Sequence, residues 1–216
     1  MIDLLVRVLL AYLAGTVIGG YWVGRLSGGV DLRQHGSGNV GATNALRTQG
    51  RWFAAAVLVI DLVKGLVAVL LLPRLALPLP AGSAEQLQWL PYLCGLAVTV
   101  GHVFPVWFGF RGGKGAATFA GVFAALMPLT LLCMLAAFTA AVLATGMVSL
   151  GTLAAAAAAV LHAAWVHGPV LAPATVFVSL AAALVVYTHR ANIGRMRAGS
   201  ESRFDTGRLW RRWRER

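Results

Sequence analysis

The sequence has few charged residues, few acidic residues and few cysteines for its 216 positions. Only 12% of the residues are charged and 59% are hydrophobic, whereas soluble domains average about 25% charged and about 45–50% apolar residues. This composition excludes an ordinary soluble globule and a disordered chain. The two cysteines, Cys94 and Cys133, lie in apolar runs without metal-ligand or redox spacing, so no disulfide framework is expected. The composition therefore indicates a polytopic membrane protein.

Seven apolar runs are predicted to form transmembrane helices, because a membrane-spanning helix needs about 20 apolar residues. The runs cover residues 4–23, 53–72, 89–108, 116–127, 129–148, 150–166 and 170–187. The fourth run is short, since a helix of that length rises only about 18 Å, and counts of five or six helices stay open as alternatives. The first run lacks a basic start and is too long for a cleaved signal peptide, so we expect it to stay as an anchor.

Positive charge is concentrated in three places, which hold fifteen of the eighteen Lys and Arg residues. These places are the segment between the first two predicted helices, the segment after the third and the segment after the seventh. Because cytoplasmic loops are enriched in Lys and Arg, the distribution predicts an N-terminus outside and a C-terminus in the cytoplasm. Residues 1–203 are predicted to form one polytopic membrane domain. Residues 204–216 are predicted to form an Arg- and Trp-rich cytoplasmic tail that anionic lipids attract, with no motif that indicates a nucleic-acid partner.

The first polar stretch, residues 35–47, combines glycines with small polar side chains and one arginine. Glycines let backbone N–H groups turn toward a ligand, and such nests bind anions. The candidate phosphate-binding residues are Ser37, Gly38, Asn39, Thr43, Asn44 and Arg47. The alternative is a Gly- and Asn-rich turn that only joins two helices.

The second polar stretch, residues 101–118, contains Gly-Gly-Lys-Gly directly before a predicted helix. Free N–H groups and a lysine at the positive end of a helix suit a phosphate, although the residues do not fit the P-loop pattern. The candidates are His102, Gly112, Gly113 and Lys114. The alternative is a basic interfacial loop.

The third polar stretch, residues 189–201, leaves the last predicted helix. His189 and Asn192 share a face if that helix continues, and His189 could serve as a general base or as a phosphate donor. The alternative is an amphipathic interfacial tail. Ser149, at the join of the fifth and sixth predicted helices, is a further candidate for substrate binding.

Asp61 and Lys64 lie three residues apart inside the second predicted helix. Ionisable residues at such depth are costly and usually paired and functional. A buried ion pair that braces the bundle and a role in binding carry equal weight for this pair.

Taken together and in this order, the three stretches resemble the motifs of the bacterial acyl-phosphate:glycerol-3-phosphate acyltransferases, the PlsY family. The resemblance runs from the first helix to about Glu201 and also includes Asp61, Lys64 and Ser149. It implies an all-α integral membrane enzyme of seven helices in the bacterial cytoplasmic membrane, with its active site facing the cytoplasm. Residues 1–203 would then form the acyltransferase domain.

The resemblance also implies a reaction and its partners. A fatty acyl group would pass from acyl phosphate to the first hydroxyl of glycerol 3-phosphate, which gives 1-acyl-glycerol 3-phosphate (a lysophosphatidic acid) and phosphate. The family's three motifs map onto Ser37, Asn39, Thr43, Asn44 and Arg47, onto His102, Gly112, Gly113 and Lys114, and onto His189 and Asn192. We expect catalysis from Arg47, Lys114, His189 and Asn192, and substrate binding from Ser37, Gly38, Asn39, Thr43, Asn44, His102, Gly112, Gly113 and Ser149. The expected partners are these two substrates and membrane lipids, with a monomer favoured.

Other acyl-transfer chemistries lack their residues in this sequence. There is no G-x-S-x-G nucleophile elbow, no His followed five positions later by Asp, and no cysteine beside a polar motif. We therefore expect direct transfer without an acyl-enzyme, cofactor or metal, with the proton passing either to His189 or to the phosphate of the donor. The alternative function is a transporter of a phosphorylated small solute. The position of the polar residues argues against it, because they lie on one side of the membrane and not at its midplane.

Overall fold

A computed structural model describes residues 1–79, 82–166 and 172–204 of the chain. Over these residues the chain forms ten α-helices and three 3₁₀ turns, without a β-strand. The α-helices are α1 (Ile2–Gly15), α2 (Gly19–Leu26), α3 (Ala42–Thr48), α4 (Arg51–Leu71), α5 (Ala84–Val103), α6 (Ala116–Leu126), α7 (Pro128–Thr145), α8 (Val148–Val166), α9 (Pro173–Thr188) and α10 (Arg190–Arg197). The predicted all-α architecture is confirmed.

Four helical segments of the described part are long and apolar enough to cross a membrane, and the number rises to six if two bent pairs each count as one span. The four are α4 continued to Arg74, α5 continued to Phe108, α7 and α8. The bent pairs are α1 with α2, at 43°, and α9 with α10, at 56°. The helix α6 has 11 residues and is shorter than a span. Seven spans and the orientation of the termini therefore stay predictions.

One predicted helix is wrong as a continuous helix. The run 4–23 breaks between Gly15 and Gly19, where Ile18 has the extended angles φ −94° and ψ 119°. The break is tolerated because Asp61 and Lys64 supply polar partners to its backbone. The last predicted helix, 170–187, ends within one residue of α9, and the conditional continuation of that helix through His189 is not found, because His189 stands at the 56° bend. Its predicted start at 170–171, and the tail residues 205–216, lie outside the described residues.

The chain divides into two compact units, residues 1–128 and 129–216. In the first unit, α4 packs against α6 and α1 packs against α5. Gly65 and Gly121 let α4 and α6 approach closely, since a side chain at Gly65 would meet Thr118 O and one at Gly121 would meet Leu62 O. Small residues at such crossings are typical of membrane helix pairs.

In the second unit, α8 packs against α9. The face of α8 that is buried carries Ala155, Ala156, Ala159 and Ala163, which again permits a short distance between helix axes. α10 follows α9 after the bend, so the polar third stretch of the sequence leaves the apolar helix in a new direction.

Local sequence explains several helix ends. Ser83 and Gln86 form a capping box at the start of α5. Pro128 separates α6 from α7, since proline disfavours a helical residue before it, and Met127 accordingly has φ −146° and ψ 63°. Gly115 caps the start of α6 in the left-handed region at φ 83°, a conformation that few residues other than glycine adopt.

Candidate active site

Asn44, buried in the first turn of α3, organises the first polar stretch. Its Oδ1 accepts a hydrogen bond from the backbone N–H of Ser37 at 2.9 Å. Its Nδ2 donates toward the carbonyl oxygens of Leu32, His35 and Asn39 at 3.1, 2.9 and 2.8 Å. One amide side chain thus holds a loop that has little regular structure of its own.

The remaining candidates of this stretch lie around the Asn44 amide. Gly38, exposed, has φ 72°, and the Oδ1 of Asn39 accepts a hydrogen bond from Gly41 N at 3.0 Å. Thr43 is half-buried and Arg47 is exposed, one helical turn apart on α3. Thr43 and Arg47 therefore stand on the helix that Asn44 anchors, while Ser37 and Gly38 are exposed on the loop.

The second polar stretch is attached to the end of α5 through its backbone. Gly112 N donates to Val103 O at 3.0 Å and Gly113 N donates to His102 O at 3.1 Å. A side chain at Gly113 would collide with the His102 imidazole, so glycine is needed for this close approach. Lys114, half-buried, follows directly and precedes the Gly115 cap of α6. An ammonium group at a helix N-terminus is an arrangement suited to an anion.

Tyr21, on α2, connects the second stretch with Arg33, which lies two residues before the first stretch. Its ring stacks on Phe108 with centroids 3.9 Å apart, and its hydroxyl donates to Arg111 O at 3.4 Å. The guanidinium of Arg33 lies over the Tyr21 ring, 4.8 Å from its centroid. The structure therefore links the second stretch to the segment that leads into the first, and it does so through an aromatic residue that the sequence analysis did not select.

Asp61 and Lys64 form an ion pair at 2.9 Å and lie against the α1–α2 break. Lys64 Nζ donates to Gly15 O at 3.1 Å and to Val17 O at 2.7 Å. Asp61 Oδ1 accepts from Gly19 N at 3.0 Å. The pair thus binds backbone groups on both sides of the break, which places it in the first unit as a brace between helices.

His189 is buried at the α9–α10 bend of the second unit. Its Nδ1 lies 2.8 Å from Val185 O, and because a carbonyl only accepts, Nδ1 carries the hydrogen. A neutral His189 ring then has its lone pair on Nε2. That tautomer is the one required of a base that acts through Nε2.

Ser149 and Asn192 are brought together by Glu201, which is 9% exposed. Glu201 Oε1 accepts hydrogen bonds from Ser149 Oγ at 2.7 Å and from Asn192 Nδ2 at 2.6 Å. Glu201 Oε2 accepts from Arg195 Nε at 2.7 Å. The carboxylate therefore orients two of the candidate residues of the second unit.

The charge state of Glu201 follows from these contacts. Burial raises the pKa of the Glu201 carboxyl, but the hydrogen bonds from Asn192, Ser149 and Arg195, with the charge of Arg195, lower it more. The net pKa lies below the ordinary 4.5. Glu201 is thus an anion at neutral pH and acts as an acceptor only.

Sequence reasoning missed Tyr21 and Glu201 as parts of the candidate site. Glu201 had a usable signal, because it is the only acidic residue between positions 189 and 204, a segment rich in arginine. A lone carboxylate in such a segment is expected to pair with a neighbour. Tyr21 had no comparable signal, since its role depends on how α2 and the loop after α5 pack.

Comparisons with known proteins add a family to this geometry. A family model described as glycerol-3-phosphate acyltransferase matches residues 5–199. The glycerol-3-phosphate acyltransferase of Geobacter sulfurreducens is 42% identical and aligns over 94% of this chain and 99% of its own. That of Trichlorobacter lovleyi is 45% identical over 90% of this chain and 94% of its own.

The fold is also similar to solved structures of PlsY, an integral membrane glycerol 3-phosphate acyltransferase. Its glycerol 3-phosphate form is 36% identical, with a TM-score of 0.82 over 96% of this chain and 98% of that chain. Its lysophosphatidic acid form gives a TM-score of 0.80 over 94% of this chain and 96% of that chain.

Proposed function

Because the chain belongs to the glycerol-3-phosphate acyltransferase family, we propose that it transfers a fatty acyl group from acyl phosphate to the first hydroxyl of glycerol 3-phosphate. The products are 1-acyl-glycerol 3-phosphate and inorganic phosphate. The observation that carries the proposal is the similarity over nearly the whole chain to a membrane enzyme solved in glycerol 3-phosphate and lysophosphatidic acid forms. One homologous enzyme has thus been solved in two forms that are named for a substrate and for a product of the proposed reaction.

The anion-binding character of the first unit supports phosphate-bearing substrates. The first stretch offers Arg47 on α3, and the second offers Lys114 at the start of α6. Tyr21 holds the second stretch next to Arg33, two residues before the first stretch. A guanidinium and an ammonium beside backbone N–H groups are the donors that phosphate oxygens accept from.

We propose direct transfer, in which the glycerol hydroxyl attacks the acyl carbonyl carbon of the mixed anhydride. The C–O bond to the phosphate breaks, and the phosphate leaves with the electron pair. Lys114 and Arg47, with loop N–H groups, stabilise the oxyanion and the leaving phosphate. Since a mixed anhydride has a good leaving group, positioning of the two substrates supplies much of the acceleration.

Two routes remain for the proton of the attacking hydroxyl. His189 accepts it through Nε2, which the Val185 carbonyl leaves as the basic nitrogen, or the donor's own phosphate accepts it. A His189→Ala variant that keeps near-normal kcat would exclude the histidine route. Asn192 and Ser149 are proposed to act in substrate binding and catalysis as Glu201 orients them.

The proposed location is the bacterial cytoplasmic membrane, with the N-terminus outside and the active site facing the cytoplasm. Positive charge on the polar stretches supports this orientation. Membrane lipids supply the medium in which the acyl chain of the donor is held. We propose that the protein acts as a monomer and needs no metal or other cofactor.

The test is phosphate release from palmitoyl phosphate and glycerol 3-phosphate by the purified protein in EDTA. We expect release that requires both substrates, and a fall of at least about a hundredfold in kcat/KM for Lys114→Ala, as for loss of one charged donor to an oxyanion. Arg74→Ala is the matched control, because Arg74 is exposed in the turn after α4; it should keep the wild-type rate. No release in the wild type would refute the proposed reaction.

A transporter of a phosphorylated solute is the second candidate, since broken helices are typical of transporter binding sites. Here, however, the α1–α2 break is bound by the chain's own Lys64 and Asp61. If acyl phosphate, acyl-CoA and acyl-carrier-protein donors all fail, uptake of glycerol 3-phosphate into proteoliposomes tests this candidate.

A further inference from the structure

Three buried ionisable side chains connect the α1–α2 break to the loop that carries Lys114. Asp61, Lys64 and His102 are 1, 9 and 3% exposed. His102 Nδ1 lies 2.7 Å from Lys64 Nζ and 3.4 Å from Asp61 Oδ1. The three groups thus form one continuous cluster, although they come from two helices and bind a third segment.

On one side, the cluster completes a broken helix. A helix end leaves backbone groups without partners, with partial negative charge at the end of α1 and partial positive charge at the start of α2. Lys64 binds the carbonyls of Gly15 and Val17, and Asp61 binds the N–H of Gly19. Each charge therefore meets the helix end of opposite sign, and their mutual ion pair keeps the cluster neutral.

On the other side, the cluster sets the position of His102. An ammonium has three hydrogens, and two of them go to the carbonyls of the break. The third hydrogen is directed at Asp61 and at His102 Nδ1. Because an ammonium only donates, His102 Nδ1 accepts and is the ring nitrogen without a hydrogen. The Nε2 atom carries the ring hydrogen, and this atom faces Gly113.

The His102 ring and backbone in turn support the loop before Lys114. The carbonyl of His102 accepts from Gly113 N at 3.1 Å, and Gly112 is bonded to the next carbonyl of α5. Gly113 has no room for a side chain because the imidazole lies against it. A rotation of the imidazole would displace Gly113 and therefore Lys114, which follows it directly.

We propose that Asp61, Lys64 and His102 form a positioning network that sets the backbone of Gly113 and thereby holds Lys114 where it binds the phosphate of a substrate. The proposal rests on the proposed function for its substrate. Asp61 and Lys64 are positioning residues, since they act on Lys114 only through His102 and the loop. The backbone groups of the α1–α2 break hold Asp61 and Lys64 in place.

The main experiment removes the ion pair without changing net charge. The variant Asp61→Asn/Lys64→Met should lower kcat/KM about tenfold, and mainly through kcat, because a displaced Lys114 stabilises the oxyanion and the leaving phosphate less well. The control is Asp3→Asn/Arg7→Met. It removes a second buried pair, at 2.9 Å, that also binds two backbone carbonyls but does not contact the loop, so its kcat and KM should stay at the wild-type values.

A double-mutant cycle tests the route through Gly113. Gly113→Ala alone should lower kcat/KM, because the methyl group pushes the loop off His102. Adding Lys64→Met to Gly113→Ala should change kcat/KM by less than about twofold, since residues that act through one another are not additive. Effects that multiply would mean that Lys64 acts independently of the loop, and would overturn the proposal.

Hydrogen exchange gives a readout that does not need the enzymatic reaction. The amides of Gly112 and Gly113 should exchange at least about tenfold faster in Asp61→Asn/Lys64→Met than in the wild type and the control pair. Asp61→Asn alone, which keeps the Lys64 bonds to the break, should give a smaller rise and serves if the pair variant does not fold. Equal exchange in all variants overturns the network, whereas an inactive wild type with the expected exchange pattern refutes only the proposed function.

Discussion

Replacement of Asn44 tests whether one buried amide holds the first polar stretch in place. Its Nδ2 has two hydrogens and three carbonyl oxygens within 3.1 Å, and its Oδ1 accepts one further bond. Three hydrogen bonds are therefore made at a time. At about 1 kcal/mol net for each, Asn44→Ala costs about 3 kcal/mol, which is roughly a hundredfold in the equilibrium between the held and the released loop.

The assay measures the KM for glycerol 3-phosphate and the rate of tryptic cleavage after Arg33, which lies in the same loop. Asn44→Ala should raise KM by about tenfold to a hundredfold and speed cleavage by a similar factor. Asn44→Asp should be at least as damaging, because a carboxylate oxygen would face the carbonyls that Nδ2 now binds. Thr48→Val is the matched control: it loses one bond of 3.0 Å, to Asn44 O, so its KM should change by no more than about fivefold.

Two results would refute this reasoning. Unchanged KM and unchanged cleavage in Asn44→Ala would show that the loop does not depend on the amide. A higher KM with unchanged cleavage would show that Asn44 contacts the substrate and does not act by holding the loop.

Two further substitutions test the Glu201 contacts and the unpaired hydroxyl of Thr118. Glu201→Gln should lower Tm at pH 7, and the difference from the wild type should vanish as the pH falls below 4.5. The folded-state pKa of Glu201 is lowered, so its contribution to stability is present above the ordinary pKa and is lost as the pH falls through the folded one; a difference that does not depend on pH would contradict this. Thr118→Val should raise Tm by about 2–4 °C, because among the described residues the buried Thr118 Oγ1 has no hydrogen-bond partner and an unpaired buried hydroxyl costs about 1 kcal/mol or more. Thr99→Val, which loses a bond of 3.0 Å to Gly95 O, should not raise Tm, and an equal rise in both variants would show that the unpaired hydroxyl is not the cause.

Much of the helical content could be predicted from the sequence, because apolar runs depend on local composition alone. The predicted runs 53–72 and 150–166 differ from α4 and α8 by at most two residues at either end. The short run before Pro128 is also a helix, α6. The α1–α2 break could not be predicted in this way, because residues 4–23 are apolar throughout except for Arg7 and Thr16.

The residue types of the candidate site were predicted from the sequence, but the contacts between those residues were not. Glycines, small polar residues and cations mark the three stretches by their local chemistry, and this chemistry also carries the family resemblance. The predicted functions of Lys114, Arg47, His189 and Asn192 stay predictions. The Glu201 contacts with Ser149 and Asn192 span 52 and 9 positions of sequence, and spacing alone contains no information about such pairings.

The sequence by itself determined a membrane-embedded, all-helical chain with phosphate-type donors in three polar stretches, because each of these properties is local. Only the tertiary structure decided which buried charge meets which backbone group. Lys64 binds Gly15 O and Val17 O, 49 and 47 positions away, and this contact exists because α4 packs beside the place where α1 ends. A break in a membrane helix is costly unless its N–H and C=O groups find partners. The break and the Asp61–Lys64 pair therefore depend on each other and were visible only when the helices were assembled.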